Sequence, residues 1–211
     1  MTFIVMMGPQ GSGKGTQAER LEAKGYTHLA MGDILKDIMR SDDPRANTVR
    51  EYVENGDLLP NELNDEILDD AIDDVEDDVI LDGYPRDHDQ AEHLLDTHDV
   101  DLVVDIEISD DVAIERLSKR RVCTATHKSY SVDEITEADR KACRAHGGEI
   151  VQREDDTPEA IRHRLNVYHE KTQPLIDYFN NHDIPVCRVD GEQSRDSVHE
   201  DIVAAVNRVC T

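Results

Sequence analysis

Five short apolar runs set the frame: Phe3 to Met7, Thr27 to Met31, Asp78 to Asp82, Leu102 to Ile108 and Pro185 to Asp190. Each has strand length, and the stretches between them have helical spacing. Strands that alternate with helices build a parallel sheet covered on its faces by those helices. The expected fold is α/β, with three layers around a five-stranded parallel sheet. The clearest helix places Leu63, Ile67, Leu68, Ala71, Ile72 and Val75 on one apolar stripe beside a face of Asp and Glu. A second long helix is expected to open at Asp156-Thr157-Pro158-Glu159, with a capping residue and Pro in its first turn. It then continues through Ile161, Leu165, Tyr168, Leu175 and Phe179. The stretch 122–156 breaks the rhythm, being polar, with two of the four Cys and no long apolar run. It reads as an inserted small domain in a chain of 211 residues, a length that suits one core with an insertion better than two independent units.

Charge narrows the function classes. Against 48 Asp and Glu stand 23 Lys and Arg, a net charge of −25. Such a field repels nucleic acid and anionic membranes, so neither is an expected partner. The acids are 30 Asp to 18 Glu and the bases only 7 Lys to 16 Arg, a composition like that of proteins adapted to high salt. A disordered acidic chain is the alternative; the periodic apolar segments argue against it. Four Cys and no secretory leader point to a reducing, cytoplasmic setting, since Phe3 to Met7 is too short for a signal or a span.

The strongest chemical signal is Gly8-Pro9-Gln10-Gly11-Ser12-Gly13-Lys14-Gly15-Thr16, set between the first strand and a helix through Ala18 and Leu21. Glycines let the backbone wrap so that N–H groups point inward at a phosphate, the helix start adds its positive end, and Lys14 adds a mobile cation. A nucleoside triphosphate is the expected ligand. Gly15 stands where the general pattern has a Ser or Thr on magnesium, so the ion must be held by phosphates, water and another acid. Asp82, ending the run Val79-Ile80-Leu81, is that acid if it emerges at the carboxyl edge of a buried strand; the other reading is a turn cap. Asp33 is a second such acid, or only the cap of a helix from Ile34 to Met39. Arg116 and Arg120, four apart on a predicted helix, share a face, and Arg164 sits on another helix near the insertion. Arg clustered in so acidic a chain points to phosphate recognition. The other reading is that Arg116, Lys119, Arg120 and Arg121 complement the carboxyl end of a helix that starts with Asp110 and Asp111.

The loop Gly8 to Gln17, the block Gly32-Asp33-Ile34-Leu35, Leu81-Asp82-Gly83-Tyr84-Pro85-Arg86, Arg120-Arg121 and Arg153 to Asp156 together resemble the adenylate kinase family, in order along nearly the whole chain. The resemblance implies a phosphate-loop kinase fold. Its core would be 1–31, 62–121 and 159–211, its monophosphate-binding segment 32–61, and its mobile lid 122–158. It implies magnesium-dependent transfer, ATP + AMP to 2 ADP, by a monomer. Gly11, Ser12, Gly13, Lys14, Gly15, Thr16 and Arg116 would hold ATP, and Lys36, Gly83, Arg86 and Gln90 would hold AMP. Lys14, Arg86, Arg120, Arg153 and Arg164 would carry catalysis, Asp33 and Asp82 would hold magnesium through water, and Asp155 and Asp156 would anchor Arg side chains. Two positions depart from the family: Met31 where it usually has Thr, and Lys36 where it usually has Arg. In the lid, Cys123, Thr126, Cys143 and His146 match a spacing at which many members carry zinc. Cys123, Cys143 and His146 would then be ligands, with His127 in place of Thr126; the alternative is a pair of small buried thiols beside a polar network. Cys187 and Cys210 read as packing residues. A kinase for UMP or CMP and a non-catalytic nucleotide-binding module are the competing functions.

Overall fold

A computed structural model describes residues 2–55, 59–153 and 156–209, with the backbone alone at 54 and 55. In chain order the elements are β1 (Phe3–Met7), α1 (Lys14–Glu22), β2 (Thr27–Ala30), α2 (Met31–Arg40), α3 (Ala46–Asn55), α4 (Asn61–Asp73), β3 (Val79–Asp82), α5 (His88–Thr97) and β4 (Leu102–Glu107). Then come α6 (Asp110–Lys119), β5 (Arg120–Cys123), β6 (Ser129–Ser131), α7 (Glu137–Ala145), β7 (Ile150–Val151), α8 (Pro158–Val167), α9 (Leu175–Asn181), β8 (Val186–Asp190) and α10 (Arg195–Val209).

The five expected strands form one parallel sheet in the order β2-β3-β1-β4-β8. β1 sits at its centre and no residue of it is more than 3% exposed. Its alternate residues serve two cores. Phe3, Val5 and Met7 pack with Leu81, Leu94 and Phe179 on one face, while Ile4 and Met6 pack with Ile80, Val104 and Ile202 on the other. That two-sided burial is why the run is apolar without alternation. β2 and β3 lie on one side of β1, and β4 and β8 on the other. The winding reverses at β1, and in open α/β sheets the carboxyl ends at that point are where ligands bind.

The insertion has its own three-stranded antiparallel sheet, β6-β5-β7, with α7 packed beside it. Three local expectations change. Arg120 does not share a helix face with Arg116, because α6 stops at Lys119 and Arg120 turns into β5 with extended backbone angles. Asp33 is no helix cap, because α2 already begins at Met31. The long helix after 157 is capped as expected, by the Thr157 hydroxyl accepting from the Ala160 N–H with Pro158 next to it. It is then interrupted by a π-helical turn at Tyr168–Thr172 and restarts as α9 after Pro174, which has no N–H to continue the ladder.

The insertion corrects the zinc expectation. Cys123 and Cys143, both buried, are joined in a disulfide with their Cα atoms 5.8 Å apart, tying the end of β5 to α7. A sulfur bonded to sulfur has no thiolate to give a metal, so zinc at Cys123, Cys143 and His146 is not supported, and the alternative of two free thiols is replaced as well. Thr126 and His146 are exposed, and His127 turns to Arg40 instead. Among the described residues no group of three or more His, Cys, Asp or Glu is arranged to hold a metal ion. Cys187 is a free thiol, and Cys210 lies outside the described residues. Unfolded without reductant, the chain is therefore expected to titrate two thiols of its four Cys, rising to four after reduction; four without reductant would show the lid pair reduced.

Candidate active site

The glycine loop leaves β1 with Gly8 at φ 131°, where a Cβ would lie 2.4 Å from the Ile106 carbonyl oxygen. No other residue fits that approach. Gly13, also left-handed, precedes α1 with no side chain capping the helix, so the first-turn N–H groups of Lys14, Gly15 and Thr16 stay available to an anion. Lys14 Nζ donates to the Gly8 and Pro9 carbonyls at 2.7 and 3.1 Å, closing the loop on itself. Ser12 is buried and its Oγ has no partner, nor has the buried Gln10 Oε1. An orphaned hydroxyl inside a ring of amides suits a phosphate oxygen. Gly11 backs onto α6, and Thr16 is exposed.

Asp82 closes β3 in register with Met6 and Ala30, at the carboxyl end of the strand. Burial works to raise its pKa, but the His28 imidazole, whose Nε2 lies 3.8 Å from Oδ2, and the Lys14 and Arg86 charges outweigh burial and hold the carboxyl below its ordinary value. Lys14 goes the other way. Burial lowers its pKa, Asp82 and Asp105 resist, and the Arg86 and Arg120 charges lower it further. Lys14 thus feels cations from two well-separated parts of the chain, and Asp82 feels Lys14 and Arg86. Arg86 is aimed by its own turn: Nε donates to the Gly83 carbonyl at 2.8 Å, which needs Gly83 at φ 86°, and the Arg86 carbonyl accepts from Thr172 Oγ1 at 2.7 Å.

Next to Arg86, Gln90 is 2% exposed and its Oε1 accepts the Arg86 N–H at 2.8 Å. Lys36 pairs with Asp33 at 2.6 Å, so Asp33 is the poorer of the two acids for a cation. Met31, in place of a hydroxyl residue, is buried, with its Cβ 3.7 Å from where a side chain at Gly83 would begin. Opposite, Arg116 donates to the Gly11 carbonyl at 3.3 Å and to that of Gly191 at 2.8 Å, bridging the loop to the turn after β8. Asp156 is the anchor beside the insertion. Its buried carboxylate accepts two bonds from Arg120 at 2.6 and 2.8 Å and one from Arg164 at 2.9 Å. The Arg153 carbonyl accepts the Asp156 N–H at 3.2 Å, which sets Arg153 next to this knot; Asp155 lies outside the described residues.

Two contributors are absent from the sequence-based site. His28 is visible only through the pairing of β2 with β3. Asp105, in register with Met7, is 3% exposed with an unpartnered Oδ1. An acid at the centre of the run Leu102 to Ile108, flanked by Val104 and Ile106, is the signal that could have found it.

A glycine loop joining a central strand to a helix, with cations gathered at the carboxyl edge of a parallel sheet, defines a phosphate-loop phosphotransferase. The adenylate kinase family model matches residues 6–184. The chain is 40% identical to an adenylate kinase of Haloarcula marismortui over 97% of this chain and 96% of that one. It is 38% identical to one of Thermotoga petrophila (98% and 97%) and 37% identical to one of Halobacterium salinarum (97% and 96%). The chain belongs to the adenylate kinase family.

Burial first, then Glu107, raises Asp105 from its ordinary 3.8 to about 6, against Arg188 and Lys14. Between those values the unfolded chain holds fewer protons, so this group removes stability as pH rises from about 4 to about 6, by about 3 kcal/mol at most. Asp105→Asn is expected to stabilise the protein at pH 8 and not at pH 4.5, read from urea midpoints at the two pH values.

Proposed function

We propose that the protein catalyses magnesium-dependent phosphoryl transfer from ATP to AMP, giving 2 ADP. The observation that carries this is the meeting of Lys14, Arg86 and Arg120 in a chain of net charge −25. Gathering like charges is unfavourable unless an anion joins them, and the anion with the right spread of charge is a phosphoryl group between two nucleotides. No general base is needed, since a nucleoside monophosphate is already an anionic nucleophile; alignment and neutralisation suffice.

In this reading the segments 1–31, 62–121 and 159–211 form the core, 32–61 takes the monophosphate and 122–158 is the lid. The amides of Gly11, Ser12, Gly13, Lys14, Gly15 and Thr16 cradle the ATP phosphates, with the Ser12 hydroxyl as one donor, and Arg116 covers the base. Arg86 orients AMP beside Lys36, Gly83 and Gln90. Arg120 and Arg164, held in place by Asp156, close with Arg153 over the transferring group and keep water from acting as acceptor. Asp82, kept ionised, fits magnesium through water, with Asp33 a lesser contributor. When bound, the ion neutralises charge on the phosphates. The working setting in this reading is cytoplasmic, on the acidic composition alone, since the Cys123–Cys143 disulfide removes the support that free thiols would lend, and the working unit is a monomer. No helix among the described residues is long and apolar enough to cross a membrane.

A coupled assay of ADP formed from ATP with AMP, UMP, CMP or GMP tests the acceptor. AMP is expected to be preferred, and Arg86→Ala should lower kcat/KM for AMP by about 100-fold or more, as loss of one charged transition-state contact does. Near-normal turnover in that variant, or preference for a pyrimidine acceptor, would overturn the assignment. The carboxylate excess also implies a saline cytosol. The melting temperature should fall as potassium chloride is lowered from molar to millimolar concentrations and self-repulsion loses its screen.

A further inference from the structure

Beside Arg86 runs a chain of hydrogen bonds that the transfer reaction does not use. Arg86 N–H donates to Gln90 Oε1 at 2.8 Å, and Gln90 Nε2 donates to Asn61 Oδ1 at 3.0 Å. Asn61 Nδ2 in turn donates to Asp87 Oδ1 in a longer contact of 3.5 Å. Asp87 is itself fixed as the cap of α5, accepting from the Gln90 N–H at 3.2 Å. Both ends of this chain are polar in one sense only: a backbone N–H can only donate and a carboxylate can only accept. The two amides between them can each be turned by 180°, and both ends demand the same orientation. Turning Gln90 would set its NH2 against the Arg86 N–H and its oxygen against Asn61 Oδ1, two mismatches at a residue only 2% exposed.

Among the described residues, Gln90 then keeps one N–H and one lone pair uncommitted. That pair complements an edge with a donor beside an acceptor, as in the N6–H and N1 of adenine. Hypoxanthine offers the reverse, O6 and N1–H, and a freely turning amide would read either base equally well. We propose that Asn61 is a specificity-determining positioning residue: by accepting from Gln90 Nε2 it locks the amide in the sense that reads adenine and rejects a 6-oxopurine. This rests on the reading of the site as an AMP site in which Gln90 faces the base.

The test compares kcat/KM for AMP and for inosine monophosphate, which differ only at that edge, at fixed ATP and magnesium. The wild type is expected to prefer AMP strongly. Asn61→Leu, or Asn61→Ala should the first not fold, should raise the IMP-to-AMP ratio about tenfold, an effect that general loss of structure would not give. The double variant Asn61→Asp with Asp87→Asn restores an acceptor for Gln90 and a donor to it, and should return the ratio to its wild-type value. A ratio within twofold of wild type in the single variants, or no return in the double, would overturn the proposal. Equal use of AMP and IMP by the wild type would overturn it while leaving the kinase reading intact. Transfer to a pyrimidine acceptor with none to AMP would overturn the kinase reading and this proposal together.

Discussion

The structure turns on one electrostatic contradiction: a strongly acidic chain sets Lys14, at the end of its central strand's loop, against the charges of Arg86 and Arg120. Two carboxylates make this tolerable. Asp82 lies among them, kept ionised by the very cations it relieves, and Asp156 grips Arg120 and Arg164 from behind. The remaining positive charge is left for a ligand. In water such a cluster would be screened; in a half-buried crevice it is a preformed counter-field for phosphate.

The same edge shows how local backbone demands place chemical groups. Gly8 lets the loop fold against β4, Gly83 gives Arg86 its hydrogen-bond partner, and both need conformations that a side chain would oppose. Asp156 is as much a positioning device as a charge. Bonded twice to Arg120, it fixes a guanidinium in plane, which a single contact would not. The disulfide from Cys123 to Cys143 gives the small inserted sheet a cross-link where its few apolar residues could not supply a core of their own.

Most of the architecture was legible in advance, because buried parallel strands are apolar on both faces and announce themselves as short continuous runs. All five appeared within one or two residues of their expected ends. Errors fell where neighbouring elements compete for the same residues. Arg120 had helical spacing from Arg116 but was claimed by the lid sheet, and Met31 left β2 to start α2. The lid Cys matched a metal spacing, yet spacing along a chain does not say whether two sulfurs face an ion or each other.

By itself the sequence determined the sheet, the phosphate-binding turn and the supply of cations, since these depend on periodicity, on glycine and on residue type within a few positions. Only the tertiary structure decided that Asp82 meets His28 and Lys14, that Asp156 holds two arginines, and that Asn61 meets Gln90. Those partners lie between 8 and 68 positions apart in the chain. What joins Asp82 to His28 and Lys14 is the parallel crossover, which returns each strand to the same edge after a helix whose length leaves no trace in the spacing of the residues it brings together.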